Sequence, residues 1–184
     1  MSLSPLNFLP PQFPVNKISI QPLDKTVPVQ GQETLLDVLL REDMSVMQAC
    51  GAQGRCATCH IYVKSGGEAL SPMNDQERLT LSFIATAQAN SRLACQTKIC
   101  GDGAVIEVPR GMYIGSMGEL KSLVGTRANQ NIIHPLTGEI LVEENKLILR
   151  SALEKMANID AALETNLLDV FQPSSVSNIA NYFD

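Results

Sequence analysis

Aromatic residues are scarce in this sequence. Phe, Tyr and Trp together make up 4% of the 184 residues, with no Trp at all, whereas 45% of the residues are hydrophobic. The core must therefore be built from aliphatic side chains. No apolar run reaches the roughly 18 residues that indicate a membrane-spanning helix, so no membrane span is expected. No cluster of Lys and Arg occurs either, so the sequence does not favour nucleic-acid binding.

The start of the chain lacks the features of a targeting segment. Residues 1–14 contain four prolines but no Arg, no basic stretch and no long apolar stretch. A secretory signal and an Arg-rich transit peptide are therefore not expected, and the prolines predict an extended arm. We expect a cytoplasmic protein, because thiols stay reduced and available to metals in that compartment.

The net charge of −5 is unevenly distributed. Residues 1–110 contain nine basic and ten acidic residues, whereas residues 111–184 contain five and nine. The first region is therefore close to neutral, and long-range electrostatic steering of a partner towards it should be weak.

Four of the five cysteines form a pattern that is typical of a metal cluster. The run Cys50-Gly-Ala-Gln-Gly-Arg-Cys56-Ala-Thr-Cys59 has the spacing C-x5-C-x2-C, and Cys95 follows after a long gap. A 2Fe–2S cluster needs four thiolates, two for each iron. The glycines of the run allow the backbone to approach such a cluster, with N–H groups directed at its sulfurs. The spacing therefore predicts a 2Fe–2S cluster.

Other uses of the cysteines explain less of the pattern. The segment from Cys56 to His60 reads C-x-x-C-H, as in c-type haem attachment, but this leaves Cys50 and Cys95 without a role. A zinc site could use Cys56, Cys59, Cys95 and Cys100, but it also leaves Cys50 idle. A thioredoxin-like pair lacks the surrounding βαβ pattern. A Rieske centre needs two histidine ligands, and the second histidine lies far away at position 134.

The segments around the cysteines predict an α+β domain. Alternating residues indicate strands over 15–20, 25–29, 60–63, 92–96 and 104–108. A leucine-rich helix is predicted over 35–40, with Thr34 as its N-cap, and a short helix over 71–81. Cys100 is expected to be a small buried residue on a strand. His60 is expected either to hydrogen-bond near the cluster or simply to begin a strand.

Residues 15–110 resemble a 2Fe–2S ferredoxin of the adrenodoxin-like branch. The family loop reads C-x-x-x-G-x-C-x-x-C-H and its fourth ligand lies in R-L-x-C-Q; both motifs occur here, at 50–60 and 92–96. The resemblance implies a β-grasp fold for this domain. It also implies that the 2Fe–2S cluster is bound by four ligands: Cys50, Cys56, Cys59 and Cys95.

The resemblance also bears on the partner. In this branch an acidic helix after the cluster loop docks the reductase. The corresponding stretch here carries only Asp75 and Glu77, offset by Arg78, so the docking surface is expected to be only partly present. The face by which electrons leave is expected to consist of four loop residues: Ala52, Gln53, Arg55 and Ala57.

Residues 111–184 predict a small α+β C-terminal module, made of a hairpin and helices. Four glycines between 111 and 125 indicate a loose connection. Strands are predicted over 131–133 and 139–142, joined by a turn, and helices over 143–157 and 159–171. The last helix has one apolar face, which must be buried on the first domain or on a partner: Ile159, Ala162, Leu163, Leu167 and Phe171.

We therefore predict a one-electron carrier rather than an enzyme, with a C-terminal module that selects or holds a partner. The partner is expected to be a redox protein, either a reductase or an accepting oxidoreductase. Two alternatives remain open: a redox-sensing regulator, and an electron-entry subunit of a larger oxidoreductase. The sequence does not predict the oligomeric state.

Overall fold

A computed structural model describes residues 15–44 and 46–170. The predicted arm over 1–14 and the end of the chain from residue 171 lie outside the described residues. Packing divides the chain into two compact units. The first runs to Pro109 and includes the tripeptide Leu136–Gly138; the second comprises residues 110–135 and those from Glu139 onward. Within the described residues, no helix combines the length and hydropathy of a membrane span.

The first unit is built on a five-stranded mixed sheet. Its strands are β1 (Asn16–Gln21), β2 (Lys25–Val29), β3 (His60–Ser65), β4 (Ser91–Leu93) and β5 (Ala104–Glu107). They lie in the order β2-β1-β5-β3-β4. β1 is antiparallel to β2 and parallel to β5, while β3 is antiparallel to β4 and β5. A first hairpin with the last strand inserted beside it is the β-grasp topology, so the predicted α+β fold is confirmed.

Helix α1 (Leu35–Arg41) begins at the predicted cap. The Thr34 hydroxyl accepts a hydrogen bond from the Asp37 amide at 3.2 Å, and the Asp37 carboxylate accepts one from the Thr34 amide at 3.1 Å. This reciprocal pair is a capping box and fixes the start of the helix. The buried side of α1 joins aliphatic residues of the strands in the core: Leu35, Leu36, Val38 and Leu39, with Ile18, Ile20, Val27, Ile61 and Ile106.

Helix α2 (Asp75–Ser82) is shorter than the predicted 71–81. Asn74 caps it, because its side-chain oxygen accepts a hydrogen bond from the Glu77 amide at 2.7 Å. Residues 71–73 therefore precede the helix. Strand β4 likewise ends at Leu93, earlier than the predicted 96, so Cys95 lies in the turn that follows the strand.

In its described residues, the second unit contains a three-stranded sheet and two helices. Strands β6 (Met112–Tyr113), β7 (Ile132–Ile133) and β8 (Ile140–Val142) lie in that order. The hairpin of β7 and β8 is confirmed. Strand β6 and helix α3 (Met117–Leu123) were not predicted from the sequence, because neighbouring glycines indicated a loose connection. The Ser116 hydroxyl instead caps α3 by accepting from the Glu119 amide at 3.2 Å.

The two helices predicted after β8 are a single helix, α4 (Arg150–Val170). No Gly or Pro separates the two predicted segments, so the helix continues through Asn158. The prediction that a helix begins at 143 is wrong, and Asn145 has a positive φ of 64° that a helix does not accommodate. His134 is buried, and its Nε2 lies 3.0 Å from Asp160 Oδ1 on α4.

An aliphatic core of its own holds the second unit together. Ile159, on the predicted apolar face, packs partly buried against this core. The other side chains of that face, from Ala162 to Phe171, lie outside the described part of the chain. The buried members of the core are Ile114, Leu120, Ala128, Ile132, Leu141, Val142, Ile148, Ala152 and Met156.

Two adjacent glycines after β3 provide a matched test of the first unit. Gly66 has a φ of +72°, and a Cβ there would lie 2.7 Å from the Ala104 Cα and 2.7 Å from the Gly103 carbonyl oxygen. A Cβ on Gly67 would meet nothing closer than Val63 Cγ1 at 3.9 Å. We expect Gly66→Ala to lower the free energy of unfolding by about 2–4 kcal/mol, from backbone strain and overpacking. Gly67→Ala should change it by less than about 1 kcal/mol. Urea denaturation checks both values, and equal effects would contradict this account of the turn.

Candidate iron–sulfur site

The four predicted ligand sulfurs lie in two close pairs. The Sγ atoms of Cys50 and Cys56 are 3.1 Å apart, and those of Cys59 and Cys95 are 3.3 Å apart. Cys50 is half-buried and the other three are buried. In the part of the chain that the structure describes, no group of three or more His, Cys, Asp or Glu side chains has an arrangement that could hold a single metal ion. Two pairs of thiols match the two-per-iron requirement of a 2Fe–2S cluster better than that of a single zinc ion.

The loop between Cys50 and Cys59 directs backbone N–H groups at the sulfurs. The amides of Gln53 and Arg55 donate to the sulfur of Cys50, and the amide of Gly54 donates to that of Cys95. Gly54 has a φ of +68°, and a Cβ there would lie 2.9 Å from the Gln96 side chain. Glycine is therefore favoured at this position, both by the backbone conformation and by the close approach of Gln96.

The pKa values of the neighbouring thiols are shifted in opposite directions. The pKa of Cys95 is lowered to about 6, mainly because Cys59 donates a hydrogen bond to its sulfur; Gln96 and the Gly54 amide donate further hydrogen bonds. The same bond, together with burial, raises the pKa of Cys59. Burial also raises the pKa of Cys56. Thiolates this close repel one another, so a cationic centre is needed to hold all four ionised, and the donor set fits iron.

The turn that carries Cys95 is fixed by the start of α1 and by the cysteine loop. The Leu35 amide donates to the Thr97 carbonyl oxygen at 2.8 Å, and the Leu36 amide donates to that of Ala94 at 3.0 Å. The Ala94 amide in turn donates to the Cys59 carbonyl oxygen at 2.9 Å. Since the first amides of a helix have no partner within it, α1 uses them to position the fourth sulfur.

Glu77 is a buried structural residue and not a docking residue. It is 0% exposed. Its carboxylate accepts from Arg92 Nε at 2.8 Å and Nη2 at 3.0 Å, and from the Leu93 amide at 2.8 Å. The expectation that Glu77 faces a reductase is therefore wrong, and Asp75 is the exposed carboxylate of α2. Glu77 instead joins α2 to the strand that leads to Cys95.

Two glutamines and a threonine link the cysteine loop to α2 and to the turn that carries Cys95. None of the three was assigned a role from the sequence. The Gly54 carbonyl oxygen accepts from Thr80 Oγ1 at 2.5 Å and from Gln76 Nε2 at 3.2 Å. Gln96 Nε2 lies 3.1 Å from the Ala52 carbonyl oxygen and 3.4 Å from Cys95 Sγ. Only Gln96 carried a sequence signal, as the last residue of the motif R-L-x-C-Q.

Three further expectations need correction or refinement. Ala57 is 0% exposed, so the exit face retains only Ala52, Gln53 and Arg55 of the residues proposed. Cys100 is exposed rather than buried.

His60 begins β3 and is buried, and its Nε2 lies 2.7 Å from Ser91 Oγ. Burial lowers the pKa of His60 to about 4, so the ring is neutral near pH 7 and does not face a partner.

The tripeptide Leu136–Gly138 also lies beside the cysteine loop within the first unit. The Thr137 carbonyl oxygen accepts from the Ala85 amide at 2.8 Å. Gly138 has a φ of +65°, and a Cβ there would lie 3.3 Å from the Ala57 Cβ and 2.9 Å from Ile84 Cγ2. Leu136 remains 42% exposed. A segment distant in sequence therefore packs against Ala57 of the cysteine loop through Gly138.

Comparison with known proteins gives consistent matches to one family. Residues 18–100 match the model of the 2Fe–2S iron-sulfur cluster binding domain. The 2Fe–2S ferredoxin of Escherichia coli K12 is 35% identical over 78 residues, which are 42% of this chain and 70% of that protein. The 2Fe–2S ferredoxin-5 of Aquifex aeolicus is 35% identical over 74 residues, which are 40% of this chain and 77% of that protein.

Solved structures of ferredoxins resemble about half of the chain. An ISC-like [2Fe–2S] ferredoxin from Pseudomonas putida is 27% identical, with a TM-score of 0.47, and the match covers 51% of this chain and 92% of that one. A covalent complex of putidaredoxin reductase with putidaredoxin contains a chain 26% identical, with a TM-score of 0.44, covering 51% and 98%.

Replacement of Glu77 should destabilise the site from within. Glu77→Ala leaves Arg92, which is largely buried, without its charge partner, and the expected loss is about 3–5 kcal/mol in the free energy of unfolding. The exposed neighbour provides the control: Asp75→Ala should cost less than about 1 kcal/mol. Urea denaturation measures both. A loss for Glu77→Ala no larger than for Asp75→Ala would contradict the structural role.

Proposed function

This chain belongs to the 2Fe–2S ferredoxin family, and we propose that Cys50, Cys56, Cys59 and Cys95 are the ligands of its cluster. Ferredoxins are electron carriers and not enzymes, so the cluster is the functional group of the protein. When bound, it supplies a centre that gains and loses one electron. The protein's own residues hold the cluster, exclude water from it and present it to a partner.

The single observation that carries the ligand assignment is the arrangement of the sulfurs in two pairs. Cys50 with Cys56, and Cys59 with Cys95, would each serve one iron. The N–H groups of Gln53, Gly54 and Arg55 would remain as donors to ligand sulfurs. Such hydrogen bonds, together with solvent exposure, tune the reduction potential of a cluster.

We also propose that residues 15–110 form the electron-carrying domain and that residues 111–184 help to select the partner. The second region has a core of its own, which supports a separately folded module. Leu136 lies in this range, yet it belongs to the compact unit that contains the cysteine loop. Electron transfer to a protein acceptor that is unaffected by replacing Leu136 would count against the selection role.

Replacement of single cysteines tests the ligand set. We expect Cys95→Ser to remove or strongly alter the visible absorption of the protein purified under anaerobic conditions, because one iron would lose a thiolate. Cys100→Ser is the matched control, since Cys100 is exposed and its sulfur contacts only the Lys98 carbonyl oxygen among the described hydrogen bonds. An unchanged spectrum for Cys95→Ser, or equal losses for both variants, would overturn the assignment.

A further inference from the structure

Two peptide groups of the cysteine loop direct their N–H groups at one sulfur. The amides of Gln53 and Arg55 both donate to the sulfur of Cys50. The carbonyl groups of the same two peptides belong to the preceding residues, Ala52 and Gly54. Because a peptide group is planar, whatever holds its carbonyl oxygen also fixes the direction of its N–H group. The partners of these two carbonyl oxygens therefore decide how well the N–H groups are aimed at Cys50.

Two side chains of α2 hold the second of these peptides. The Gly54 carbonyl oxygen accepts from Thr80 Oγ1 at 2.5 Å and from Gln76 Nε2 at 3.2 Å. Gln76 Nε2 also lies 3.2 Å from Thr80 Oγ1, so the two side chains support each other. Thr80 is buried, and a hydrogen bond away from water polarises the group that accepts it more strongly. The peptide after Gly54 is thus both held in place and polarised from its carbonyl end.

Gln96, which follows the fourth predicted ligand, holds the first peptide. Its Nε2 donates to the Ala52 carbonyl oxygen at 3.1 Å and to Cys95 Sγ at 3.4 Å. A side-chain amide has a donor end and an acceptor end, so its orientation decides which of them faces the sulfur. Asn74 sets this orientation, because its Nδ2 donates to Gln96 Oε1 at 3.1 Å. The N-cap of α2 therefore turns the donor end of Gln96 toward the cysteine loop.

Hydrogen bonds at these positions affect the two redox states unequally. Reduction of a 2Fe–2S centre adds one negative charge, and hydrogen bonds to the sulfurs are among the properties that set its potential. An N–H group aimed at a ligand sulfur stabilises negative charge there. It does so more strongly when the carbonyl oxygen of its own peptide accepts a hydrogen bond. Loss of a donor at the carbonyl end should therefore lower the reduction potential.

We propose that four polar side chains outside the cysteine loop position its N–H donors and thereby raise the reduction potential: Asn74, Gln76, Thr80 and Gln96. Thr80 and Gln76 act through the peptide that follows Gly54. Gln96 acts through the peptide that follows Ala52 and directly on Cys95. Asn74 acts only by orienting Gln96. The proposal rests on the proposed function, because the potential belongs to the protein with its cluster bound.

A replacement of Thr80 by a side chain of the same shape tests the second peptide. We expect Thr80→Val, which removes the hydroxyl group, to change the equilibrium constant of reduction about fivefold, so that the midpoint potential falls by about 40 mV. Thr80→Ser retains the hydroxyl group and should stay within about twofold of the wild type, or about 20 mV. A redox titration of the anaerobically purified protein, followed by visible absorbance, measures each potential.

Thr97→Val is the matched control for Thr80→Val. Thr97 is also buried, and its hydroxyl group is hydrogen-bonded to Glu77 Oε1 and to the Leu93 carbonyl oxygen, both outside the cysteine loop. It should change the equilibrium constant of reduction by less than about twofold. Urea denaturation is measured on both Val variants, since a purely structural role would lower stability and leave the potential unchanged. Equal shifts in potential for the two variants, or no shift for Thr80→Val, would overturn the proposal.

A double variant tests whether Asn74 acts through Gln96. Gln96→Met should change the equilibrium constant about tenfold, a fall of about 60 mV, because it removes a donor to a ligand sulfur. Asn74→Ser should change it about threefold, or about 30 mV, because Ser still caps α2 but lacks the amide that orients Gln96. In the Gln96→Met background, Asn74→Ser should have no further effect. Additive shifts would overturn the positioning role of Asn74, and an unchanged potential for Gln96→Met would overturn that of Gln96.

Failure of the positioning role is distinguishable from failure of the proposed function. Each variant is compared at equal visible absorbance per chain, so loss of the cluster is detected separately. A wild-type protein without a reversible one-electron couple would overturn the proposed function, and the positioning role with it. A reversible couple whose potential none of the variants lowers would overturn only the positioning role.

Discussion

The first unit must bring together four thiols from two distant parts of the chain, and the rest of its structure depends on this constraint. Three sulfurs come from a single loop and the fourth from a turn 36 residues after Cys59. Thiolates at such distances repel one another, so the scaffold must supply hydrogen bonds and the cofactor must supply positive charge. The scaffold therefore has to hold the turn around Cys95 rigidly against the loop.

Three elements of the β-grasp fold meet this requirement. The first amides of α1 bond to the carbonyl groups on either side of Cys95. Strand β3 starts directly after Cys59 and pairs with β4, which ends just before Cys95. The buried pair of Glu77 and Arg92 joins α2 to β4. A buried ion pair is costly to form but more costly to break, so this connection gives the site a defined geometry.

Sequence patterns predicted the parts of the structure that depend on local signals. The cysteine spacing, the cap at Thr34 and the alternation of the strands lie within short windows, and the structure contains each of them. The buried state of Glu77 could not be predicted in this way, because it results from contacts with Arg92 and Leu93 that are about 15 residues away. The glycines near α3 concealed a helix, since the cap at Ser116 outweighed their low helix propensity. The position of Gly138 beside Ala57 also depends on a long-range contact and had no local signal.

The most direct test of the account is to measure iron, acid-labile sulfide and unpaired spins in the same anaerobically purified sample. Our account predicts about two irons and two sulfides per chain. It also predicts about one unpaired spin after reduction with dithionite and no spin signal before it, because the cluster accepts a single electron. One metal ion per chain without sulfide, or no signal after reduction, would contradict it.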